Sequence, residues 1–169
     1  MKLFLRLVWL ILWQSSRSRS DVLGPVDTRL RVYPNDLDIF MHVNNGVYLT
    51  YADLGRTDLM LRSNTFKKIR NKGWYPVVAA ESIQFRQSLT LGQKFTITTR
   101  IVGWSDRAIY IEQLFSRANK HIATAWIDAR FLVKGGGKVS TNELMALLNI
   151  ERESPALPEN IQRWVNSLG

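Results

Sequence analysis

Residues Asn35 to Arg56 read NDLDIFMHVNNGVYLTYADLGR, and the fold turns on how this stretch is read. It opens on a short acidic loop, Asp36-Leu37-Asp38, then passes through His42-Val43-Asn44-Asn45-Gly46 into helical spacing. Val47, Tyr51 and Leu54 fall on one face of that helix, and Tyr48, Ala52 and Gly55 on an adjacent one. Asn44 or Asn45 is suited to the N-cap, where an amide oxygen accepts from the first unpaired N–H groups. Those N–H groups carry partial positive charge. A carboxylate just upstream, facing that end, would set an acid or nucleophile beside a polarising backbone donor.

Outward from this stretch the pattern changes. Upstream, Thr28 to Tyr33 alternates, with Leu30 and Val32 on one side and Arg29 and Arg31 on the other, as in a half-exposed strand ended by Pro34. Downstream, the helix is expected to reach about Arg62, followed by a basic segment from Thr65 to Lys72 that Gly73 breaks. From Tyr75 the period becomes two. Val77–Leu89, Lys94–Trp104, Ala108–Ser116 and His121–Lys134 are strand candidates, and their short connections predict an antiparallel four-strand meander. A short helix from Thr141 and a final amphipathic turn carrying Ile161, Trp164 and Val165 complete the chain. One strand, a long helix and then a run of strands is an α+β order.

Composition bounds the chemistry. A chain of 169 residues is one domain's worth, with 46% hydrophobic and 22% charged residues. There is no Cys, so disulfides, thiol nucleophiles and Cys zinc sites are excluded. Only His42 and His121 are present, and no metal or cofactor is expected. The net charge of +9 favours anionic partners without choosing among them. Nucleic acid has only that charge in its favour, since no recognised binding motif accompanies it. Gly137-Lys138-Val139-Ser140 is not a phosphate loop, and no Gly-x-Ser-x-Gly elbow is present.

The apolar run from Leu3 to Trp13 is interrupted by Arg6 and is well short of the roughly 20 residues needed to cross a bilayer. Two readings stand for residues 1–20. One is an interfacial helix on anionic lipid, with Trp9 and Trp13 on one face. The other is a helix packed on its own domain or on a partner subunit. A cytoplasmic protein, peripheral at the inner membrane surface on the first reading, is the expectation.

Asp36-x-Asp38, His42-Val43-Asn44-Asn45, Tyr48-Leu49 and Asp53-x-Gly55-Arg56 together resemble the hotdog-fold acyl-CoA thioesterases of the 4-hydroxybenzoyl-CoA thioesterase type. Leu89-Thr90-Leu91-Gly92-Gln93 is similar to that family's strand-to-strand turn. Gly103 to Glu112 and Leu157 to Trp164 resemble, more narrowly, the branch around thioesterase superfamily member six and its bacterial relatives. The resemblance runs from about Arg29 to Trp164. One departure stands out: many relatives have Gly immediately before the His, where this chain has Met41.

The resemblance implies an antiparallel sheet wrapped around the long helix, with extra N- and C-terminal helices. Residues 28–150 would form the hotdog domain, 1–20 an apolar and basic segment, and 151–169 an extension packed on the domain. It implies hydrolysis of an acyl-CoA or acyl-carrier thioester by a homodimer or homotetramer. Asp38 would be the catalytic carboxylate and the N–H of Asn45 the carbonyl polariser, with His42, Asn44, Gly46 and Tyr48 as substrate-binding candidates. Asp53 is a second candidate acid, although Asp53 and Arg56 at i and i+3 also read as a surface ion pair. Asp36 is expected to shape the loop. Of Arg86, Lys94, Arg100, Arg107, Arg117 and Lys120, a minority would clamp a nucleotide tail, since most charges on strands face solvent. A non-catalytic acyl-CoA or lipid-binding protein is the rival reading.

Overall fold

The computed structural model describes residues 3–14 and 19–168. The side chain of Trp13, used in the interfacial reading above, lies outside the described part. Helix α1 (Leu3–Trp9) continues into a π-helical turn, Leu10–Gln14. Strand β1 (Val26–Arg31) leads through a 3₁₀ turn at Pro34–Asp36 and a loop into α2 (Asn45–Arg62). Then follow α3 (Thr65–Asn71), β2 (Trp74–Phe85), β3 (Lys94–Trp104), β4 (Ile109–Arg117), β5 (Lys120–Val133), the short β6 (Lys138–Val139), α4 (Thr141–Leu148) and α5 (Glu159–Asn166).

The antiparallel sheet has the order β1-β3-β4-β5-β2, with β6 paired to β5. The expected four-strand meander is therefore corrected. β3, β4 and β5 are consecutive neighbours, but β2 lies beyond β5 and does not pair with β3. The link after Phe85 explains the difference. Residues Leu89 to Gln93 leave the sheet and pair with other segments: Val43 N–H donates to Leu89 O at 2.9 Å and Gly92 N–H to Val32 O at 3.1 Å. A short connection thus spans the sheet end instead of making a hairpin. The β4–β5 connection is a true hairpin, with Ala118 and Asn119 both left-handed at φ 46° and 62°.

Helix α2 fills the concave side. Tyr48, Tyr51, Ala52, Leu54, Gly55, Asp58 and Leu59 are all buried, so this is a core helix and not a surface one. Its first half sits in an aromatic cluster, with Tyr48 5.0 Å from Phe85 and 5.6 Å from Phe115, and Tyr51 4.9 Å from Phe95. Such edge and tilted pairs add about 0.5–1.5 kcal/mol each beyond burial. Asn64 at φ 60° turns the chain after α2. On the convex side, Val102, Ala108, Tyr110 and Ile161 form a second apolar cluster with Leu157 and Trp164, so the C-terminal segment covers that face.

The N-terminal helix is packed inward on one side. Leu10 is fully buried and Arg6 nearly so, while Leu5, Trp9 and Leu12, at i, i+4 and i+7, are exposed together with Ile11. No described helix is long and apolar enough to cross a membrane.

Candidate active site

The loop between β1 and α2 is a stitched hairpin. Asn44 N–H donates to Asp36 O at 2.8 Å, Leu37 bridges Val43, and Asp38 N–H donates to His42 O at 2.8 Å. His42 in turn bridges Thr90 of the β2–β3 link. Asp38 and His42 are thus directly opposite, and one arm of the hairpin runs straight into the start of α2. The tip is Ile39-Phe40-Met41, three exposed apolar residues, with Ile39 89% exposed.

Asp38 is half-buried. Its Oδ1 accepts from Phe40 N–H at 2.9 Å and His42 N–H at 3.2 Å, which fixes the carboxylate on its own loop. Among the described residues, Oδ2 has no hydrogen-bond partner. At the helix start, Asn44 is the N-cap, and its Oδ1 accepts from Gly46 N–H at 2.9 Å. Val47 N–H donates to Asn44 O at 2.9 Å. The N–H of Asn45 has no partner among the described residues. One carboxylate oxygen and one helix-start donor are therefore unused at the two ends of a single braced loop.

Met41 has φ 62°. In the left-handed region a Cβ costs roughly 1–2 kcal/mol, and glycine does not meet that cost. The position where many relatives carry Gly thus keeps the glycine-type backbone despite its side chain.

The other sequence candidates divide. Asn44 and Gly46 build the helix start. His42 is exposed, and its backbone, not its ring, braces Asp38. Tyr48 is 2% exposed and its hydroxyl accepts from Leu89 N–H at 3.2 Å. Burial pushes its phenol up, so it sits in the core as a neutral hydroxyl holding the β2–β3 link under the site. Asp53 lies eight residues beyond Asn45, about 12 Å along the helix axis, and does not join Asp38 within the chain. It accepts from Arg56 at 3.3 Å and helps line a cavity of about 100 Å³ between α2 and the sheet, walled by Met60, Ile109, Phe131 and Leu148 among others. Among the basic candidates, Arg100 is paired with Glu112 at 2.6 Å. Lys94 and Arg117, with Arg29 and Arg31, line a cleft of about 590 Å³ whose opposite wall carries Arg6 and Trp9.

Sequence reasoning missed Arg6. Its guanidinium is paired with Asp36, and the two side chains are only 4% and 5% exposed. The rings of Tyr33 and Tyr51 lie 5.2 and 5.0 Å from it. Burial works against the charge of Arg6, but Asp36 and Tyr51 together outweigh it and the guanidinium's pKa is raised. Burial and the Asp36 carboxylate push the Tyr51 phenol far up. The signal for Arg6 was available: a lone charge in an apolar run needs either water or a partner.

Residues 32–165 match the family described as the thioesterase-like superfamily. Protein THEM6 of Xenopus laevis is 34% identical over 134 residues, a match covering 79% of this chain and 64% of that protein's length. Protein THEM6 of Danio rerio is 32% identical over 164 residues, covering 96% of this chain and 80% of that protein. Among solved structures, the YbaW probable thioesterase from Escherichia coli superposes with a TM-score of 0.68 at 23% identity, covering 73% of this chain and 96% of that one.

Proposed function

The chain belongs to the thioesterase-like superfamily, and from that premise we propose that it hydrolyses an acyl-CoA or acyl-carrier thioester at the Asp38 hairpin. The observation that supports this reading is an anchored carboxylate with one unengaged oxygen on one arm of the braced hairpin, whose other arm runs into the helix start with the unengaged N–H of Asn45. The carbonyl oxygen of the thioester would accept from Asn45 N–H, which favours the negative charge that grows there in the transition state. Asp38 would attack the carbonyl carbon or take a proton from an attacking water. Collapse of the tetrahedral intermediate breaks the C–S bond, and the thiolate leaves with little need of acid help. Where Asp38 has attacked, water then hydrolyses the mixed anhydride left on it and frees the carboxylate, so that by either route water and thioester become a carboxylic acid and a thiol. His42 borders the reacting group, while Asn44 and Gly46 hold the donor in place. Tyr48 supports this set from below. Lys94, Arg117, Arg29 and Arg31 suit the phosphates of a coenzyme A tail. A thiol-release screen across acyl-CoA and acyl-carrier substrates tests the reading. Tight binding without release would favour the non-catalytic rival.

The functional unit is proposed to be a homodimer or homotetramer. Strand β2 is a 12-residue edge, and Tyr75, Val78 and Phe85 are exposed on it. A long apolar edge invites another strand. Light scattering is expected to give an even oligomer, and a stable, active monomer would exclude it.

The exposed face of α1 is proposed as a peripheral membrane contact. Leu5, Trp9 and Leu12 are exposed along one stripe, in which Trp9 also lines the cationic cleft. Substituting Leu5→Glu and Leu12→Glu together spares Arg6 and Leu10. The full chain should sediment with anionic vesicles and release in high salt, and the double variant should stay in the supernatant. Equal sedimentation of the two would remove the membrane reading.

A further inference from the structure

The N-terminal helix lies outside the matched region, residues 32–165, yet it reaches the proposed site through one charge. Arg6 sits between Leu5 and Leu7 and is directed into the domain, where it meets the Asp36 carboxylate between the rings of Tyr33 and Tyr51. Asp36 does two further things. Its Oδ2 accepts from Tyr33 N–H at 2.7 Å, tying the end of β1. Its backbone oxygen accepts from Asn44 N–H at 2.8 Å, tying the cap of α2. Two residues later the same arm carries Asp38. The carboxylate and the helix-start donor are thus both suspended from Asp36, and among the described residues Arg6 supplies its charged partner.

We propose that Arg6 is a positioning residue, and that α1 sets the geometry of the Asp38–Asn45 pair by holding Asp36. The inference rests on the thioesterase reading for its catalytic consequence, but its structural half stands apart from it. Without Arg6, the Asp36 carboxylate is a buried charge lacking its counter-ion, which is strongly unfavourable. The carboxylate must then draw in water or a proton, and the hairpin must move to let it. A shift of about 1 Å at the reacting groups can cost on the order of a hundredfold in rate. A helix that only adds packing area would lower stability and leave turnover per folded molecule as it was.

The test uses the full chain with Arg6→Gln, Arg6→Lys, Asp36→Asn and the Arg6→Gln/Asp36→Asn double variant. Thiol release is measured well below each variant's melting temperature. Hydrogen exchange is followed at the Asp38 and Asn44 amides. Arg6→Gln should lower kcat by about a hundredfold with KM nearly unchanged, and the Asp38 and Asn44 amides should lose protection while those of β4 and β5 keep theirs. Arg6→Lys should fall between, and it carries the comparison if Arg6→Gln does not fold. The double variant should lose no more kcat than the worse single one, because both act on one link. Unchanged kcat and unchanged loop exchange in folded variants would overturn the proposal. If the wild type releases no thiol from any substrate, the function reading fails. Exchange at the two amides then decides the positioning role by itself: lost protection upholds it, and retained protection overturns it.

Discussion

Asp38→Asn should lower kcat by about a thousandfold while leaving the melting temperature close to that of the wild type. The stability half follows from which atoms are engaged. Oδ1 of Asp38 accepts from Phe40 N–H and His42 N–H, and an asparagine oxygen can accept both. The activity half follows from the other oxygen, which has no partner among the described residues and becomes an amide nitrogen. That nitrogen neither attacks a carbonyl nor takes a proton from water. Acyl-CoA binding should persist, because the cations proposed to meet the phosphates and the helix-start N–H are untouched. A correctly folded variant that hydrolyses thioesters at the wild-type rate would remove Asp38 from the reaction. One further measurement separates its two roles. After a single turnover in heavy-oxygen water, label in Asp38 reports a mixed anhydride opened at the Asp38 carbonyl and therefore attack by the carboxylate, whereas activation of water places label in the product acid alone. Trapping of the acyl group on Asp38 distinguishes the latter from an anhydride opened at its acyl carbonyl.

The sequence carried the central elements because they depend on local rules. Helix α2 was expected from the region of Asn44–Asn45 to about Arg62 and spans Asn45–Arg62, since the cap, the apolar spacing and the turn after Arg62 are all written within a few residues. The order of strands along the chain was also legible. Their order in the sheet was not, because β2 and β3 have a connection short enough for a hairpin. Only the pairing of Leu89 to Gln93 with the Asp38 hairpin and with Val32 takes that connection out of the sheet. Long-range partners have no period in the sequence. Arg6 is the same lesson at the site: its position in an apolar run marked it as unusual, but Asp36 as its partner lies 30 residues away. Asp53 and Arg56 show the converse. They belong to the motif that suggested chemistry, yet Arg56 is spent on Asp53 and on Gln113 Oε1 at 3.1 Å, where it ties α2 to the sheet.

Gly55 belongs to the same motif, and adding a single methyl group there should carry a large stability effect. In a helix interior, Gly→Ala by itself stabilises by about 1 kcal/mol, because alanine gives up less backbone freedom on folding. At Gly55 the packing opposes this. A Cβ there would lie 2.7 Å from Gln113 Nε2, 2.8 Å from Thr99 Oγ1 and 3.3 Å from Ile97 Cγ2. The amide cannot swing away cheaply, since its nitrogen donates to Ala52 O at 2.8 Å and Thr99 Oγ1 at 2.9 Å and its oxygen accepts from Arg56. Either α2 lifts off the sheet or a buried polar network is broken, and overpacking of this kind costs about 1–3 kcal/mol or more. The network outweighs the propensity. Gly55→Ala should therefore lower the melting temperature by about 4–8 °C, a net loss near 2 kcal/mol for a domain of this size. Gln113→Ala will be destabilising alone, but combined with Gly55→Ala it should cost less than the sum of the two, because the second change removes the atom that the first one strikes. Because α2 carries Asn45 at its start, kcat should fall along with stability in Gly55→Ala and recover in part in the double variant. A higher melting temperature for Gly55→Ala would mean that helix propensity wins and that α2 is not pressed against β3 and β4 at this point.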